Sequence, residues 1–176
     1  EPVRLGSYDL REGMARMDLD QGTSLVLEAP CQVEFKSVGE VALNSGRLAA
    51  GVPPQARGFR VRTRTAVITD LGTEFGVIAH SDGIIETHVL KGSVTVALDP
   101  NRSGRIASLA VEEGQAAAVD AAGRTIRDGL SARADLFVLQ LPSIRQPTIP
   151  AGRLNLADIV GQGNGRGAGT LNRGID

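Results

Sequence analysis

Short stretches in which apolar and polar residues alternate at every second position recur along the chain, and no other feature restricts its fold as much. Cys31-Gln-Val-Glu-Phe-Lys36, Phe59-Arg-Val-Arg-Thr-Arg64, Ile84 to Leu90 and Ser93-Val-Thr-Val-Ala-Leu98 all follow this pattern, and Leu25-Val-Leu-Glu28 reads as a further strand. A period of two places successive side chains on opposite faces of a half-buried strand. The stretches are punctuated by Asn44-Ser-Gly46, Val52-Pro-Pro54, Ser81-Asp-Gly83 and Asp99-Pro-Asn101, all of which read as turns. No window before residue 130 has a helical period, so the expected fold class is all-β. Glycine followed by an apolar strand recurs at Gly22, Gly46, Gly72, Gly92 and Gly114, with gaps of 24, 26, 20 and 22 residues. That spacing predicts a two-sheet β-sandwich, or a short solenoid-like stack of strands. Glycine then stands at the corners where the chain passes from one sheet to the other.

The core of such a fold must be aliphatic. Hydrophobic residues make up 41% of the 176, aromatics only 3%, and Trp is absent. The formal charge is -1, which argues against a nucleic-acid binder, and the positive charge is almost all arginine, Lys36 and Lys91 being the only lysines. Cys31 is the single cysteine, so no intramolecular disulfide forms, and its neighbours suit a small buried side chain. No apolar run approaches the ~20 residues of a membrane helix. The start at Glu1, with neither Met nor a signal-peptide pattern, suggests a fragment or processed chain.

After residue 128 the character changes. Leu130 to Leu141 is expected to form one short helix stopped by Pro142. Pro142, Pro147 and Pro150 mark a linker, and Gly161 to Gly169 has glycine at every second position. The division is therefore a β domain over 1–128, then a short helix and Gly/Pro-rich tail over 129–176, the tail being a linker or the opening of a further domain. The glycine run lacks the Gly-Lys-Ser/Thr of a phosphate loop and the strand–helix setting of a dinucleotide site.

Within residues 14 to 120, Leu25-Val-Leu-Glu-Ala-Pro30, Gly46-Arg-Leu-Ala-Ala50, Phe59-Arg-Val-Arg-Thr63, Asp70-Leu-Gly-Thr-Glu-Phe-Gly-Val77, His88-Val-Leu-Lys-Gly-Ser-Val-Thr-Val96 and Glu113-Gly-Gln-Ala116 follow one another in order. In this order they resemble the FecR family, and the Gly-rich tail resembles planctomycete-type versions of it. The resemblance implies a domain on the periplasmic or extracytoplasmic face of the cytoplasmic membrane, carried by a single-span anti-sigma regulator. It implies a protein partner in the envelope, such as an outer-membrane signal transducer. Contact with an ECF sigma factor and with the membrane is expected only through a cytoplasmic segment and an anchor that these residues do not include.

Three side-chain groups are candidates for chemistry. His80, Asp82 and Glu86, with His88 nearby, approximate the first motif of a cupin metal site. An aspartate stands where a histidine is needed, though, and no histidine follows for the second motif. Cys31 has no histidine near it in sequence to activate it. Arg60, Arg62 and Arg64, with Arg57 before them, fall on one face of a strand about 7 Å apart. They are either neutralised by carboxylates on a neighbouring strand or offered to an acidic partner. Asp70 to Phe75 reads as structural, with Gly72 making a bend and Phe75 filling the core. The chain is accordingly expected to be a non-catalytic signalling domain without cofactor or metal, with Arg57, Arg60, Arg62 and Arg64 as its partner-binding residues. A carbohydrate- or envelope-binding β module and a degenerate cupin-like metal enzyme are the alternatives.

Overall fold

The structure, a computed structural model, describes residues 5–104 and 106–141. Twelve strands follow in order: β1 (Gly6–Leu10), β2 (Met14–Asp18), β3 (Ser24–Ser37), β4 (Glu40–Gly51), β5 (Arg60–Arg62), β6 (Ala66–Asp70), β7 (Glu74–Ala79), β8 (Ile85–Lys91), β9 (Ser93–Leu98), β10 (Ser108–Glu112), β11 (Gln115–Val119) and β12 (Ile126–Ser131). One helical turn, α1 (Pro100–Ser103), is capped by the Asp99 side chain, which accepts from Asn101 N–H at 3.0 Å. The chain is all-β.

The twelve strands form one continuous hydrogen-bonded sheet rather than two separate ones. The long hairpin β3–β4 runs through its middle and divides it into two arms. In the first arm the outer part of the hairpin pairs with β1 on one side and β5 on the other, and the sheet continues through β6, β9 and β10. In the second arm the inner part pairs with β2 and β7 and continues through β8, β11 and β12. Leu25, Leu48, Phe75, Val77 and Val89 of the second arm join Val33, Val61, Ile68, Val94 and Val96 of the first in one buried cluster.

The glycine spacing is the key to how the arms connect. Gly46 divides β4 between the arms, Gly72 lies between β6 and β7, Gly92 between β8 and β9, and Gly114 between β10 and β11. At each the chain passes from one arm to the other, with φ between +78° and +98°. Gly22 is the exception, since β2 and β3 on either side of it belong to the same arm. At the Gly72 corner the Asp70 carboxylate accepts from Gly72 N–H (2.8 Å) and from the Thr73 hydroxyl. Burial pushes the Asp70 carboxyl up, while those two bonds and the Arg57 guanidinium pull it down.

Two expectations need correction. Leu130 to Leu141 is not a helix: β12 runs to Ser131 and pairs with β11, leaving only a 3-10 turn at Ala134–Leu136. A free strand edge on β11 and an apolar sheet face win over a weak local helical preference. Asn44-Ser45-Gly46 is not a turn between strands; it lies against Ala29-Pro30-Cys31. Both lie within the long strands β3 and β4, where the pairing jumps from Glu28↔Arg47 to Gln32↔Ser45. Three residues of β3 therefore face one of β4, a bulge that bends the hairpin between the arms. Residues 142–176, including the expected linker and glycine tail, lie outside the described residues.

Cys31 sits at this bend, fully buried, and burial pushes its thiol up to about 11. The thiolate is the reactive form. The folded protein at pH 8 is therefore expected to leave Cys31 unlabelled by a maleimide or iodoacetamide over hours, whereas denatured protein labels fully, as mass spectrometry will read.

Candidate functional site

The outer faces of the two arms differ. On the second arm, strand pairing lines up Val26, Ala49, Gly76, His88 and Ala116 in one row. After β12 the chain returns over this row, and Phe137 packs with Val26, Ala49 and Ile78, supported by Leu136, Val138, Leu139 and Leu141. Phe137 lies on Gly76, where any side chain would collide with the ring: a Cβ there would come within 2.2 Å. The ring also leans on His88, with centroids 5.4 Å apart. His88 Nδ1 accepts from Arg133 N–H (3.3 Å), fastening the start of this strap. Gly76→Ala is expected to detach the strap while leaving the main core in place. Limited proteolysis should then cut beyond residue 132 faster than in wild type, with only a small shift in the melting midpoint.

The histidines flagged in the sequence meet on this face. The Glu86 carboxylate lies between His80 Nε2 (3.3 Å) and His88 Nε2 (3.2 Å). Asp82 is elsewhere, its carboxylate accepting from Ile84 N–H (3.0 Å) to close the β7–β8 turn. Since His88 Nδ1 accepts a bond, its proton is on Nε2 and points at Glu86. That arrangement orients a buried ring rather than offering a metal ligand. Among the described residues no three His, Cys, Asp or Glu side chains converge on a metal position.

On the first arm, pairing makes two rows across β5, β6, β9 and β10: Arg60, Thr69, Thr95, Ala110 and Arg62, Val67, Ala97, Ser108. Nothing among the described residues covers them with an apolar cluster as the strap covers the second arm. β5 ends at Arg62, so Arg60 and Arg62 share its outer face while Arg64 lies in the following turn and Arg57 just before the strand. Glu40, which opens β4 and pairs in parallel register with Arg60, holds both guanidiniums: its two oxygens each lie 3.0 Å from an Nε, one of Arg60 and one of Arg62. Asp99 is 4.0 Å from an Arg62 Nη. Arg57 and Arg64 are exposed and make no ion pair among the described residues. The sequence pattern found the arginines but missed Glu40 and Asp99, which lie 20 residues before Arg60 and 37 after Arg62. Only strand pairing brings them together.

The two best-formed depressions hold about 40 and 100 Å³, against roughly 300–1,000 Å³ for a small-molecule site. The first lies beside the exposed Leu5 and Val38, the second between the strap's Leu139 and the edge of β3–β4.

Among curated proteins the chain has no match. Two crystal structures of a candidate anti-sigma factor from Parabacteroides distasonis have a similar fold, each with a TM-score of 0.60 at 21% identity. The similarity covers 73% of this chain, which spans only 61% of the length of those proteins. Residues 9–95 match the family described as FecR protein, a span that holds the β3–β4 hairpin, all four arginines and the Gly46, Gly72 and Gly92 corners. The chain carries a FecR domain and through it belongs to the FecR family.

Proposed function

We propose that this chain is the extracytoplasmic signal-receiving domain of an anti-sigma-type regulator, which works by binding a protein partner and not by catalysis. The FecR match over residues 9–95 is the observation that carries this reading. The fold shared with a candidate anti-sigma factor supports it. The shallow surface supports a role in binding macromolecules, because small depressions suit flat interfaces better than enclosed substrates. The β domain of residues 1–128 is the receiving unit, and Arg57, Arg60, Arg62 and Arg64 form its contact face. The partner is an envelope protein such as an outer-membrane transducer, and an ECF sigma factor would be contacted through a cytoplasmic segment rather than through this domain. No helix among the described residues is long and apolar enough to cross a membrane.

The test is a pull-down from envelope extract of the source organism, using wild type and an Arg60→Glu/Arg62→Glu/Arg64→Glu variant. An outer-membrane or secreted protein enriched at least about ten-fold by wild type and lost in the variant is the expected outcome. Retention of envelope polysaccharide without protein would replace this reading with the carbohydrate-binding one.

A further inference from the structure

We infer that Arg60 and Arg62 form a paired-guanidinium fork, oriented by Glu40, that receives alternate carboxylates of an extended acidic segment laid on the first arm's outer face. This deepens the reading above and rests on it.

The geometry of the Glu40 contact is the starting point. Its side chain is only 15% exposed, whereas Arg60 and Arg62 are 50% and 39% exposed. Its two oxygens lie 3.0 Å from the Nε of Arg60 and of Arg62, and Arg62 Nε–H donates to it. Asp99 only loosely approaches an Arg62 Nη, at 4.0 Å, and both arginine side chains keep a large exposed fraction. A terminal edge with two N–H donors matches a carboxylate in bidentate fashion, which an ammonium group cannot do. One carboxylate therefore fixes two forks side by side. The residues that carry them are two positions apart on a strand, their backbones about 7 Å from each other, the repeat of alternate residues on an extended chain. Around β5 four guanidiniums meet three carboxylates, Glu40, Asp99 and the Asp70 beside Arg57, so the surplus is one positive charge and the matching partner acidic.

A segment that reaches both arginines runs along β5, and the surface beside it is uncharged. The rows that begin at Arg60 and Arg62 continue as Thr69, Thr95, Ala110 and Val67, Ala97, Ser108, short side chains with no charge. They include no aromatic ring on which a nucleobase could stack.

The experiment is an NMR titration of the full chain, following the arginine Nε–H signals. The probes are a seven-residue peptide alternating Glu and Val, the same peptide with Gln for Glu, and tripolyphosphate. The acidic peptide is expected to shift Arg60 and Arg62 and to bind about ten-fold more weakly to Arg60→Lys/Arg62→Lys, which keeps the charge but loses the fork. Glu40→Gln should also weaken it, although that change makes the face more positive. Unchanged affinity in the lysine variant, tighter binding in Glu40→Gln, equal binding of the Gln peptide, or a preference for tripolyphosphate would each overturn the proposal. Should the pull-down partner survive in the lysine variant but not in the glutamate variant, the fork falls while the binding face stands. Loss from neither variant sinks the face itself.

Discussion

Gly46→Ala is expected to destabilise the domain by more than about 4 kcal/mol, a large part of the ~5–15 kcal/mol that holds a domain of this size together. The cause is steric and local. A methyl group at Gly46 would lie 2.3 Å from the Pro30 carbonyl oxygen and 2.6 Å from Cys31 Cα. Both are backbone atoms of the bulged strand beside it, so neither can swing away as a flexible side chain would. The residue also has φ +97°, where alanine is strained before any contact is counted. Gly72 has the same φ, +98°, at another corner, but a methyl group there would meet nothing within 4 Å. Gly72→Ala should therefore lose only about 1–2 kcal/mol, from backbone strain alone. Urea melts of the two variants against wild type measure the difference. Equal losses would mean that the bulge can relax and that close packing at Pro30 does not hold the bend.

Phe75→Ala should cost about 3–5 kcal/mol through the lost transfer energy and the cavity left behind. In a domain this size that lowers the melting midpoint by roughly 10–15 °C. Phe75 has no exposed surface and lies in the shared cluster, between Val77 of its own strand and Val89 across from it. Its neighbours Val77 and Val89 are smaller, so neither fills the space it leaves. Phe137→Ala is the comparison: its ring belongs to the strap's small cluster, and its loss should loosen that segment more than it lowers the main transition. A midpoint nearly unchanged in Phe75→Ala would overturn the placement of this residue at the centre of the core.

Local pattern carried much of the fold. β8, β9 and the core of β5 coincide with alternating stretches because their inward residues, such as Val61, Val89, Val94 and Val96, have a single buried face to satisfy. The corners at Gly72, Gly92 and Gly114 were legible for a related reason: positive φ is open to glycine at little cost, so glycine collects there. Gly46 was legible as a corner but misled as a turn, because a glycine that admits a neighbouring backbone inside a strand looks, in sequence, like one that ends a strand.

What the sequence by itself determined was the strand periodicity, an aliphatic core, the arginine-rich strand and the ordered motifs that mark a FecR domain. Each of these depends on residues within a few positions of one another. Tertiary structure alone decided that the strands join in one folded sheet, and that Ala134–Leu136 and Phe137 cover the second arm instead of extending a helix. It also decided that Glu40 and Asp99 meet Arg60 and Arg62. Those outcomes depend on which strand lies beside which, and pairing energy is set by partners distant in the chain, where no local pattern records it.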